Sequence, residues 1–164
     1  TTPMIIMGVD PGVARVGWSI IEPHGPHIKP VAYGCIETAK DKSPEIRLGE
    51  IYDALTQLLI TYRPDCMAVE DLFFSTNAKT AIGVGQSRGV VLLSASKRGV
   101  PVVSYSPLAV KLAIAGDGKA DKKQLERMVV LTLHLTKTPK LDDTTDALAI
   151  AMTHAYSYKI KQRI

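Results

Sequence analysis

Apolar residues along the chain fall into two alternating patterns, short runs closed by turn residues and longer stretches with apolar positions three or four apart. Met4-Ile5-Ile6-Met7-Gly8-Val9 predicts a buried strand that delivers Asp10 to its end, where Pro11-Gly12 turns the backbone away. In residues 13–21, Val16, Trp18 and Ile20 alternate with small or polar residues and predict a second strand. Residues 22–27, rich in Pro, Gly and His, predict a hairpin turn, and residues 28–38 a third strand. Ser43-Pro44 offers a capping hydroxyl followed by proline at the first helical position. Leu48, Ile51, Leu55, Leu58, Leu59 and Tyr62 then give a helix that Arg63-Pro64 ends.

A second short apolar run, residues 66–69, also stops at a carboxylate, Glu70. Alternation aims the next residue, Asp71, at the opposite face of the strand. Residues 76–98 predict a helix with a small-residue stripe of Ala81, Gly85 and Gly89, suited to close approach by the sheet or by a second subunit, and closed by Gly99 as a left-handed cap. Residues 100–105 predict a strand, 107–115 a helix, Gly116-Asp117-Gly118 a turn, 120–134 a helix and 143–157 a last helix beyond Pro139. Three strands joined by short turns, followed by strands joined through helices, make an α/β fold. Its sheet is mixed, an antiparallel meander continued by right-handed crossovers.

With 164 residues the chain is expected to form one domain, residues 1–164, with a sizeable core. A hydrophobic content of 46% and a charged content of 22% suit a soluble globular protein, and no apolar run is long enough for a membrane span. Neither a signal peptide nor a cysteine framework is evident, and Cys35 and Cys66 sit in apolar runs as small hydrophobes. A reducing compartment, the cytoplasm, is the expected location. Charge is unevenly spread. Residues 1–78 carry six Lys and Arg against ten Asp and Glu, a net −4, whereas residues 79–127 carry nine against three, a net +6. A basic middle beside an acidic first half points to a polyanionic partner.

Taken alone, Asp10 reads as ordinary turn chemistry. The last predicted helix changes that, because Asp143 and Asp146, or Asp142 and Asp146, share one helix face. One of Asp142 and Asp143 suits the helix start. Asp146 borders the apolar run 147–151 and needs a partner. Three elements therefore present carboxylates: Asp10, Glu70, and Asp146 with Asp142 or Asp143. Four gathered acids repel one another unless cations neutralise them, and their charge balances two divalent ions such as Mg²⁺ or Mn²⁺. A pair of ions about 3.5–4 Å apart is the arrangement used for in-line displacement at phosphorus.

Gly8-Val-Asp10-Pro-Gly12, Val69-Glu70-Asp-Leu-Phe73, Gly85-Gln-Ser-Arg88-Gly89 and Asp143-Thr-Thr-Asp146-Ala-Leu-Ala149 together resemble the RuvC-type Holliday junction resolvases, in order and over nearly the whole chain. The resemblance implies an RNase H-like mixed five-stranded sheet flanked by helices, a homodimer, and Mg²⁺-dependent endonuclease action on four-way DNA junctions. It implies two Mg²⁺ per subunit, with Mn²⁺ substituting, and a branch-migration helicase complex as a partner. The catalytic, metal-holding acids fall on Asp10, Glu70, Asp143 and Asp146, with Asp142 an alternative to Asp143 and Asp10 bridging both ions. Lys122 is implied beside the reacting phosphate. Lys111, Lys119, Lys123 and Arg88 join the DNA-binding set, and Phe73 or Phe74 stacks at the junction centre. Other classes make different demands. A sugar-kinase-like ATPase shares the opening strand but needs a second lobe, and an RNA-processing nuclease of the same fold would carry similar acids. A non-catalytic junction-binding module would not require all four.

Overall fold

In the computed structural model, residues 3–71 and 78–162 are described, with side chains as far as Tyr158. Five strands form one sheet: β1 (Ile6–Asp10), β2 (Arg15–His24), β3 (His27–Glu37), β4 (Cys66–Glu70) and β5 (Val102–Tyr105). Their order is β3-β2-β1-β4-β5, with β1 and β3 antiparallel to β2, and β4 parallel to both β1 and β5. This is the mixed sheet expected from the element order. Five helices cover it: α1 (Pro44–Tyr62), α2 (Ala78–Lys97), α3 (Pro107–Ala115), α4 (Lys122–Thr132) and α5 (Asp142–Gln162).

The strand period of two sorts residues between two cores. Met7, Val9, Val16, Ile20, Met67 and Val69 pack with Ile51, Leu55 and Leu59 of α1 and Val91 and Ala95 of α2. On the other face, Ile6, Ile21 and Ala68 pack with residues of α3, α4 and α5, Leu148 and Met152 among them. By the same alternation Gly8, Asp10 and Glu70 belong to the α5 face, and Asp71 to the α1/α2 face. The acids therefore share the face that carries α5.

Three local expectations need correction. The β2–β3 hairpin runs to His24 and resumes at His27, so the turn is Gly25-Pro26, with Gly25 at φ 57°. Residues 22–24 extend beyond Ile21, the partner of the first residue of β1, and proline is tolerated where a neighbouring strand is missing. The Ser43 side chain does not cap α1 but donates to Glu45 Oε1 at 2.8 Å; Pro44 starts the helix. Finally, α4 begins at Lys122 rather than 120, because Asp121 is its N-cap: Asp121 accepts from the Gln124 backbone while the Gln124 side chain accepts from the Asp121 backbone. Among the described residues no helix is long and apolar enough to cross a membrane.

Candidate active site

Two small residues in the middle strands decide where α5 lies. A Cβ on Gly8 would stand 2.1 Å from the Ala147 carbonyl oxygen, and one on Gly17 would stand 1.8 Å from that of Asp143. Both positions must be glycine for the helix backbone to rest directly on β1 and β2. Hydrogen bonds fix it there. The buried Ser19 hydroxyl donates to the Ala147 carbonyl at 2.8 Å, and Thr144 Oγ1 donates to the Gly34 carbonyl at 3.1 Å. Because Asp10 pairs with Gly17 across the β1–β2 ladder, the first turn of α5 is set down beside the end of β1. Glu70 arrives from the other side, since β1 and β4 run in parallel register with Val9 opposite Val69.

The four acids feel one another strongly. Burial, then the charges of Glu70, Asp146 and Asp143, push the Asp10 carboxyl up to about 9, and Asp10 hydrogen-bonds to Glu70. Burial and the charge of Glu70 push Asp146 up to about 6 against the opposing charge of Lys122. Burial also raises Glu70, opposed by the hydrogen bond from Asp10 and by Lys122 and Lys111. The Asp10 carboxyl thus keeps its proton well above the ordinary carboxylate range and hydrogen-bonds to Glu70. Asp143 acts on both Asp10 and Asp146, whereas Asp142, exposed at the helix start, acts on Asp146. The structure thus turns Asp143, not Asp142, toward Asp10.

The donors are all carboxylate oxygens and are short of positive charge, which suits hard divalent cations. Among the described residues no three His, Cys, Asp or Glu side chains are already gathered around one point. The residues fit a divalent metal in their chemistry, and binding would be coupled to loss of the Asp10 proton.

A cleft of about 400 Å³ opens beside the acids, lined by Glu70, Asp146, Lys111, Lys122, Val110 and Leu125. Helix starts position the two lysines. Ser106 accepts from the Ala109 backbone and caps α3, which carries Lys111; the Asp121 capping box sets Lys122 as the first residue of α4. On the far side of Asp143 a shallower cleft of about 510 Å³ is bounded by Gly12, Arg15, Thr38 and Lys40. The turn after Asp10 is clamped there. Ser87 donates to the Gly12 carbonyl at 2.7 Å, and Thr38 Oγ1 donates to that of Val13 at 2.6 Å while accepting from Arg47 Nε at 2.9 Å.

The remaining residues singled out by the sequence are placed differently. Lys119 and Lys123 are exposed and do not line the 400 Å³ cleft. Arg88 points its guanidinium at Ser104 and Asp71 on the opposite face of the sheet from the acids. Phe73 and Phe74 lie outside the described residues. In the stripe on α2, Gly89 is exposed with open space where its Cβ would be, whereas Gly83 is the glycine that meets a neighbour, Val13. The sequence reading overlooked Gly8, Gly17 and Ser19 as the seat of α5. Their signal was present: Gly8 shares the face of Asp10, and a glycine within a buried strand marks close approach by another backbone.

Comparison with known proteins agrees with this geometry. A family model, Crossover junction endodeoxyribonuclease RuvC, matches residues 6–154. A crossover junction endodeoxyribonuclease RuvC from Desulforamulus reducens is 47% identical over 152 residues, covering 93% of this chain and 93% of the relative. The solved structure of T. thermophilus RuvC in complex with Holliday junction substrate superposes with a TM-score of 0.91 at 33% identity, covering 96% of each chain. The yeast mitochondrial Holliday junction resolvase Ydc2 shares the fold, with a TM-score of 0.65 at 14% identity over 97% of this chain and 86% of the other.

Proposed function

This chain belongs to the RuvC family of crossover junction endodeoxyribonucleases, and from that premise we propose that Asp10, Glu70, Asp143 and Asp146 form the centre at which it hydrolyses DNA. The protein is a nuclease that resolves four-way DNA junctions. One observation carries the assignment: burial, and then the charges of Glu70, Asp146 and Asp143, raise the Asp10 carboxyl to about 9, so acids from β1, β4 and α5 act on one enclosed site. Acids brought together from separate elements in this way suit divalent cations of the kind used for hydrolysis at phosphorus.

Divalent cations, Mg²⁺ with Mn²⁺ as substitute and two per subunit, would supply the countercharge that lets all four acids ionise, together with Lewis acidity at the phosphodiester. Asp10, which interacts with all three other acids, takes the shared central position, and Glu70, Asp143 and Asp146 flank it. With cations bound, loss of the Asp10 proton would be favoured and would so free Glu70 from the hydrogen bond. Lys122, beside Glu70 and Asp146, contacts phosphate and balances charge as it develops, and Lys111 lines the same cleft. The Pro11-Gly12 turn, clamped by Ser87, Thr38 and Arg47, keeps the opposite side open for the strand. Lys119 and Lys123 extend the basic surface outward, and Phe73 or Phe74 stacks on an unpaired base.

Paired nicks need two centres, which a closed two-fold homodimer provides. We assign the exposed α2 stripe of Ile82, Gly89 and Leu93, with Ile82 63% and Leu93 48% exposed, to that contact. The cytoplasm, with both cysteines free, and a branch-migration helicase complex complete the setting. The test is cleavage of a synthetic four-way junction with Mg²⁺, alongside duplex and RNA–DNA hybrid. Symmetric paired nicks confined to the junction are expected, and Asp146→Asn abolishes them. Preferential hybrid cleavage, or nicking that survives Asp146→Asn, overturns the assignment.

A further inference from the structure

Arg88 lies on α2, across the sheet from the acids, yet its guanidinium ends beside the residue that follows Glu70. Its Nη2 donates to Ser104 Oγ at 2.9 Å and lies 3.5 Å from Asp71 Oδ1, and the side chain is only 22% exposed. Nε is buried with no hydrogen-bond partner. A guanidinium this enclosed, with a carboxylate beside it, is poorly placed to leave its partners for a phosphate. We propose that Arg88 is a positioning residue: through Asp71 and Ser104 it fixes the end of β4 and so the aim of Glu70. This rests on Glu70 belonging to the reacting centre.

The register supports a lever of this kind. Val69 pairs with Ser104 and Glu70 with Tyr105, and the Asp71 N–H donates to the Tyr105 carbonyl at 2.8 Å. Glu70 and Tyr105 face α5, where the Tyr105 hydroxyl hydrogen-bonds to His154 Nδ1 at 2.7 Å. Asp71 and Ser104 face α2. The strand end is thus held from both sides, by the Tyr105–His154 pair on one face and by Arg88 on the other. Loss of the Arg88 contact leaves the Asp71 side chain unanchored on the α2 face, and a shift at that strand end changes the aim of the neighbouring Glu70. A catalytic group displaced by about 1 Å can cost about 100-fold in rate.

The experiment uses the full chain and a four-way junction. Affinity is measured with Ca²⁺ in place of Mg²⁺ across a salt series, and single-turnover cleavage with Mg²⁺ at saturating protein. Rates are taken per binding-competent molecule, well below the melting temperature, so that mere loss of fold does not count. For Arg88→Ala the expected result is a cleavage rate about 10-fold or more lower, affinity within about 2-fold, and an unchanged salt slope. Asp71→Ala and Ser104→Ala, which leave the cation in place, are expected to slow cleavage as well, and Arg88/Asp71 double replacement to be no worse than the more severe single change. Arg88→Lys, with charge but no fork, should restore little of the rate. Weakened affinity with a salt slope reduced by about 1 makes Arg88 a phosphate contact and overturns the proposal. So does wild-type cleavage by the Arg88→Ala and Asp71→Ala variants. If Arg88→Ala does not fold, Asp71→Ala and Ser104→Ala decide by the same two readouts. Glu70→Gln separates the two readings: continued cleavage by that variant removes Glu70 from the centre, whereas its inactivity beside an active Arg88→Ala rejects only the positioning role.

Discussion

Asp10 is buried among like charges, and its protonation couples stability to pH. Its folded-state value of about 9 lies above the ordinary carboxylate range, so the folded chain binds a proton that the unfolded chain has already lost. The stability held at acid pH therefore falls as pH rises from about 4 to about 9, and Glu70 and Asp146, also raised, act in the same direction. Asp10→Asn removes the penalty. At pH 8 without metal the variant is expected to melt about 2–4 °C higher for each kcal/mol relieved, with the gap closing toward pH 4. Mg²⁺ reverses the ranking, stabilising the wild type more at pH 8 than at pH 6. Thermal melts across pH, with and without Mg²⁺, check both signs; an Asn variant less stable than wild type at pH 8 contradicts the repulsion. At the neighbouring ambiguity, Asp143→Asn is expected to lower cleavage at least about 100-fold. Asp142→Asn, at an exposed position whose charge is not among those acting on Asp10, is expected to stay within a few-fold. Single-turnover assays distinguish the two.

At the scale of elements, the seat of α5 matters more than any one hydrogen bond. Gly17→Ala forces a methyl group into the Asp143 carbonyl, a backbone atom that cannot rotate away. The expected cost is about 3 kcal/mol or more, read as a large fall in denaturation midpoint or failure to accumulate folded protein. Ser19→Ala deletes only the bond to the Ala147 carbonyl and should cost about 1 kcal/mol, with junction affinity retained. The acids owe their meeting to these contacts. A helix held off β1 and β2 by one side chain would carry Asp143 and Asp146 away from Asp10. Helix caps act similarly for the lysines: Asp121→Ala loosens the start of α4, where Lys122 stands.

For the whole molecule, charge and apolar surface divide the work of binding. The basic segment, residues 79–127, carries Lys111 and Lys122 into the cleft beside the acids and leaves Lys119 and Lys123 exposed. Junction affinity should fall steeply with salt. Leu93→Glu on the exposed α2 stripe should convert a dimer into monomers in sedimentation, with paired nicking lost and the fold intact by circular dichroism. A dimer that persists sends the interface elsewhere.

What could be read along the chain was local. Period-two and period-three-to-four apolar spacing defined nearly every element, because burial on one face leaves a repeat in the sequence. The ends needed more: Ser43 looked like a cap and Asp121 fell inside a helix expected over 120–134, and only their hydrogen bonds showed that Asp121 caps and the Ser43 side chain does not. Asp10, Glu70 and Asp146, with either Asp142 or Asp143, were legible as candidates because each stood where an apolar element ends or begins, a costly place for a charge. Arg88 was legible as a cation but not as an anchored one, since Asp71 and Ser104 reach it from two other elements. By itself the sequence determined most of the elements and the two-faced sheet and marked the candidate acids, all consequences of residue spacing and local burial. Tertiary structure alone decided which of Asp142 and Asp143 faces Asp10, which glycines seat α5, and which cations reach the acids. Those outcomes depend on backbones distant in sequence coming within a side chain's width of one another, a distance that no spacing along the chain encodes.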